Sequence, residues 1–69
     1  MMIDEVVIWA IPEGGSYRLG CADAAVAPIP FGAEIVVRID RCDKELMWQW
    51  IKKRVRRGWS LDKIRRKCQ

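Results

Sequence analysis

The sequence predicts an α+β domain, a three-stranded antiparallel meander followed by a long helix and a short C-terminal helix. Three observations carry this expectation. Two short runs, 6–11 and 17–21, flank the turn signal Pro12-Glu13-Gly14-Gly15-Ser16 and read as a hairpin. A third run, 33–39, alternates in the manner of a strand. Beyond residue 40 the apolar spacing changes to the helical period and cations accumulate. Sixty-nine residues make a single domain, 1–69, with a sheet part at 1–39 and a basic helical part at 40–69.

Val6-Val7-Ile8-Trp9-Ala10-Ile11 is apolar on both faces, as expected of a strand covered on two sides. The returning strand places Tyr17, Leu19 and Cys21 on one face. From Ala22 to Gly32 the residues are small and irregular, with Pro28 and Pro30 bracketing Ile29. An ordered loop is expected there, because Val26, Ile29 and Phe31 are costly to leave in water. In the third strand Ile35, Val37 and Ile39 should point one way, and Glu34, Val36 and Arg38 the other.

Asp40 or Asp43 is placed to cap a helix running to about Arg57, and Gly58 to end it in the left-handed conformation. Ser60 is an N-cap for a second, short helix. Trp59 before it is positioned to staple onto Ile64, and Asp62 suits the helix dipole. Leu61, Ile64 and Cys68 share one face of that helix. On the first helix Leu46, Met47, Trp48, Trp50, Ile51 and Val55 cover an arc of about 200°, wider than one sheet needs. The excess should be buried by the second helix, and beyond that by a homodimer or another protein. Arg54 interrupts the arc, either by snorkelling past it or as an interface contact.

Charge is divided along the chain. Residues 1–39 hold five acids and two bases, a balance of −3; residues 40–69 hold four acids and eleven bases, a balance of +7. Nine of those bases lie between Lys52 and Lys67, opposed only by Asp62. Such a concentration makes a positive field that attracts anionic surfaces.

Three cysteines, Cys21, Cys42 and Cys68, cannot all pair within the chain, and no C-x-x-C is present. With no histidine, the usual zinc ligands and the commonest acid–base group are both missing. Reduced thiols, no metal, no cofactor and no catalytic residues are therefore expected. The chain does not open as a signal peptide does, and its apolar run of six residues is far short of the roughly twenty needed to span a bilayer. A cytoplasmic protein is expected.

The stretch from Ile51 to Arg66 resembles a helix-turn-helix, in particular the helix pair that follows the wing in MerR-type regulators. Gly58 stands at the turn, Ser60 follows two residues later, and Leu61 and Ile64 lie on the next helix. The resemblance implies DNA binding, with one helix across the backbone and another near a groove. Arg54 and Arg57 depart from it, standing where the motif usually has small or apolar residues.

The function expected is that of a small basic binding protein that holds nucleic acid, DNA rather than RNA. Its contact residues would be Lys52, Lys53, Arg54, Arg56, Arg57, Trp59, Lys63, Arg65, Arg66 and Lys67. Trp48, Trp50 and Trp59 among these cations also suit stacking on single strands, with Trp59 beside the turn as the exposed ring. The alternative is an inhibitor or adaptor docking on an acidic protein surface. The chain is similar in type to the small phage proteins that block host machinery, anti-CRISPR proteins among them, which would place it in the host cytoplasm. A basic amphipathic helix on an anionic membrane is the weakest alternative, since folding consumes the apolar arc.

Overall fold

A computed structural model of the chain describes residues 4–23 and 29–68. Strands β1 (Glu5–Glu13), β2 (Ser16–Asp23) and β3 (Glu34–Asp40) lead through a 3₁₀ turn (Arg41–Asp43) into helices α1 (Lys44–Arg56) and α2 (Leu61–Cys68). The α+β class and the element order are those expected. The sheet is antiparallel, but its order is β2-β1-β3, so β1 rather than β2 is central and the sheet is not a sequential meander. Side-chain chemistry accounts for the correction. Val6, Val7, Ile8 and Ala10 are all buried, on both faces of β1, whereas β2 carries the exposed Ser16 and Arg18 and fits an edge. Pro12 is tolerated because β3 pairs with β1 only as far as Ala10.

Gly14 and Gly15, with φ of 57° and 80°, form the two-residue turn between β1 and β2. Positive φ at both central positions is what a type I′ hairpin requires, and glycine adopts it without a Cβ clash.

Where Ile8 pairs with Val37, Trp9 pairs with Ile35, and Val36 is the extra residue of a β-bulge. The bulge overturns the simple alternation expected for β3. Val36 joins the helix-facing core of Ile8, Ala10, Ile51, Leu61 and Ile64, against which Val37 and Ile39 also pack. On the opposite face Val7 and its partner Ala22 are buried. There the Trp9 indole lies over its cross-strand partner Gly20, and a Cβ at residue 20 would fall within the ring.

Arg41 closes one end of the sheet. Its backbone N–H donates to Asp4 O (3.0 Å), and its guanidinium bonds the carboxylates of Asp4 (2.8 Å) and Asp23. Those carboxylates, the hydrogen bond that Arg41 donates to Asp4 foremost, push the Arg41 pKa up.

Two expectations fail beside the sheet. Phe31 is fully exposed at a turn through Gly32, although Ile29 is half-buried as expected; Val26 and Pro28 lie outside the described residues. Asp40 and Asp43 occupy cap positions, yet neither side chain makes a capping bond. The 3₁₀ turn supplies a backbone acceptor instead, with the Lys44 N–H donating to Arg41 O.

The broad apolar arc of α1 is largely covered within the chain. Ile51 is fully buried, and Met47, Trp48, Trp50 and Val55 pack around the core, while Leu46 remains 78% exposed. Leu61 and Ile64 of α2 are buried, and Cys68 Sγ lies 3.9 Å from Met47 Sδ across the helix pair. No helix among the described residues is long and apolar enough to cross a membrane.

Gly20→Ala should displace the Trp9 indole and destabilise the fold by about 1–3 kcal/mol. Urea unfolding together with Trp fluorescence measures this; an unchanged midpoint would show that the ring has room to move.

Candidate functional site

The basic residues are positioned by the junction between α1 and α2. Gly58, at φ 85°, takes the left-handed conformation. Its N–H donates to Val55 O and the Trp59 N–H to Arg54 O, each at 3.0 Å, which is the paired bonding of a Schellman turn. Ser60 then caps α2, with Lys63 N–H donating to Ser60 Oγ at 3.2 Å. Four residues thus reverse the chain without leaving the helix ends unsatisfied.

This turn brings Trp59 against Trp50, ring centroids 6.1 Å apart and edge-on. The Arg54 guanidinium stands over both rings, 4.3 Å from Trp50 and 5.6 Å from Trp59, and Arg54 Nη1 donates to Trp50 O at 3.4 Å. Lys63 covers Trp59 at 4.2 Å. Trp59 is accordingly half-buried and already engaged by two cations, not the free stacking ring expected. Arg54 is neither snorkelling to water nor an outer contact; it is a cation–π clamp within the hairpin, with a buried Nε that has no hydrogen-bond partner among the described residues.

Arg65 is also internal. Nε and Nη2 both donate to Ile35 O, at 3.0 and 2.8 Å, and the guanidinium pairs with Asp62 (3.4 Å) and Glu34 (3.7 Å). It fixes α2 to β3. Glu34 is one of five acids in residues 1–39, and the other four are engaged by Arg18, Arg38 and Arg41. Arg65 is therefore the one base between Lys52 and Lys67 with an ion pair among the described residues. Lys53, Arg56, Arg57, Lys63, Arg66 and Lys67 are exposed, and Lys52 is half-buried with its ammonium 5.8 Å from the Trp48 ring. The last turn of α1 holds Lys53, Arg54 and Arg56, and that of α2 holds Arg65, Arg66 and Lys67, where the helix dipole favours positive charge.

Two adjoining cavities of about 410 and 310 Å³ lie between β2 and α1, and both are lined by Ser16, Tyr17, Val55 and Arg56. Trp48 and Lys52 line the smaller, and Trp59 and Ser60 the larger. On the other flank of α1 a cleft of about 210 Å³ is lined by Leu46, Met47, Trp50, Lys67 and Cys68. Of the ten contact residues expected from sequence, the structure places Lys52, Arg56 and Trp59 on the β2 groove and Lys67 on the cleft, and commits Arg54 and Arg65 to internal bonds. Trp48, expected as one of three stacking rings, lines the smaller cavity, and Tyr17 beside it was not among the expected contact residues. The spacing of Trp48, Lys52 and Arg56, one helical turn apart each time, was visible, but the approach of Tyr17 is a tertiary fact.

All three cysteines are free. Burial pushes the Cys21 and Cys68 thiols up, with Lys44 and Arg41 partly offsetting it at Cys21, while Cys42 is exposed. Asp40, Cys42 and Asp43 have ligand atoms within 4.8 Å of one another, all in solvent.

Arg54→Ala is expected to lower stability by about 1–2 kcal/mol by emptying the space over the two indoles. Arg54→Met fills that space without burying an unpaired N–H and should lose less. Urea titration ranks them, and a neutral alanine variant would show that the clamp does not hold the hairpin.

Compared with protein-family models, with curated proteins and with solved structures, the chain found no match in any of the three.

Proposed function

We propose that this chain binds nucleic acid, holding the phosphate backbone with the cations of its helix hairpin. The observation that carries the proposal is the separation of charge. The five acids of residues 1–39 are used by Arg18, Arg38, Arg41 and Arg65, leaving Lys53, Arg57, Lys63, Arg66 and Lys67 in solvent with no ion pair among the described residues. Phosphates spaced along a strand suit several exposed cations on two short helices, each contact releasing condensed counterions.

The helix-turn-helix likeness points to DNA in preference to RNA. Leu61 and Ile64 are buried and Arg65 is bound to Ile35, so α2 has Lys63, Arg66 and Lys67 left for a ligand. Three flexible cations on two turns of helix favour positioning on phosphates over reading base edges. A second reading, docking on an acidic protein, is favoured by exposed Leu46 beside the cleft that Lys67 also lines, where an apolar anchor stands near a cation. The same small patch is what α1 leaves for a second copy of the chain.

Fluorescence anisotropy with labelled DNA across a salt series tests the proposal. With about four phosphates neutralised, affinity should fall on the order of a hundredfold between low and physiological salt. Arg57→Ala combined with Arg66→Ala should weaken binding and flatten the salt slope by about two units. Absence of binding to DNA or RNA at low salt contradicts the proposal, and a stoichiometric protein partner retained after nuclease treatment supports the second reading.

A further inference from the structure

The groove between β2 and α1 combines features that phosphate neutralisation does not need. Trp48, Lys52 and Arg56 follow one another at single-turn spacing, so they form a stripe on the side of α1 that faces β2. Tyr17 stands across from them, and Leu19 and Val55 add apolar walls. Ser16 and Ser60 place hydroxyls at the larger cavity. Among the described residues, no acid lines either cavity. The space, about 410 and 310 Å³ in two adjoining parts, falls in the range of small-ligand sites, which run from about 300 to 1,000 Å³.

We infer that this groove is a subsite for one unpaired nucleotide of a DNA strand, with its base against Tyr17 and Trp48 and its phosphate on Lys52 and Arg56. The inference rests on the nucleic-acid reading above and names the form of DNA preferred. Cations, rings and apolar walls together match a nucleotide: the cations take the phosphate, the aromatic side chains take a flat base, and the hydroxyls can reach sugar or base edges. Lys52 lies near the outer limit of cation–π contact with Trp48, so it can turn toward a phosphate at little loss. Trp59 cannot serve as the stacking ring, because Arg54 and Lys63 already cover it. A base held in a duplex is stacked on its neighbours and must leave the stack before it can reach such a groove. Duplex DNA would meet the outer cations alone.

The contrast gives a test with separable outcomes. Phosphate neutralisation by itself favours duplex, whose charge density is the higher, so preference for a single strand reports the groove. Anisotropy is measured with a short labelled single-stranded DNA and with a duplex of the same sequence. The native chain should bind the single strand about tenfold more tightly. Lys52→Gln with Arg56→Gln should remove that preference while duplex binding persists, and Trp48→Phe, which keeps a ring, should retain it. Circular dichroism confirms that each variant is folded. Equal affinity for both forms, or a preference that survives the double glutamine change, overturns the subsite and leaves the phosphate reading standing. Binding to neither form overturns both.

Discussion

The Arg54 guanidinium, held against Trp50 and Trp59, ties the two helices into one unit. The indoles also meet edge-on, so the clamp adds to a direct ring contact across the Schellman turn. With it, α2 lies where Leu61 and Ile64 enter the core and Arg65 reaches the Ile35 carbonyl. The cost is visible in Arg54 Nε, a buried donor without a partner, which is penalised by about 1–3 kcal/mol. The rings, a weak bond to Trp50 O and the packing of the side-chain stem offset it.

This arrangement shapes the electrostatics of the whole molecule. A fold that spread its acids over the helices would have a neutral surface. Here the five acids of residues 1–39 serve the sheet and its join to α2: Arg41 joins the strand ends at Asp4 and Asp23, Arg18 pairs with Glu13, Arg38 with Glu5 and Arg65 with Glu34. The two helices and the turn between them keep nine bases between Lys52 and Lys67, with Asp62 as the single acid in that stretch. Crowded cations repel one another, a cost reduced where they cluster at helix C-termini. An anionic ligand would relieve the remainder.

Much of the fold was legible in the residues because local chemistry and tertiary need agree. Gly14-Gly15 demanded a tight turn, Gly58 a left-handed stop and Ser60 a cap, and each is found in that role. The sheet order was legible only in part: the two-sided apolarity of β1 implied cover on both faces, but the usual pairing of successive strands pointed to a meander. The bulge at Val36 left no mark in a run of β-branched residues, and it turns a residue assigned to the outer face into core. Phe31 was misjudged because apolar transfer energy argues for burial without saying that a core is within reach. At the site, the density of cations was evident, but their division was not. Arg65 looks in the sequence like its neighbours, and Arg54 stands out there only by interrupting the apolar arc; what removes them from the surface is Trp59 across the turn and a carbonyl thirty residues away.

An NMR titration of the isotope-labelled chain with short DNA at low salt tests most directly whether the helix hairpin is the surface that meets a polyanion. The shifts expected are centred on Lys53, Arg57, Lys63 and Arg66, with Val7, Trp9 and Ala22 on the far face of the sheet unmoved. Shifts centred on that far face, or none while the DNA is in excess, would contradict the assignment of the hairpin as the binding surface.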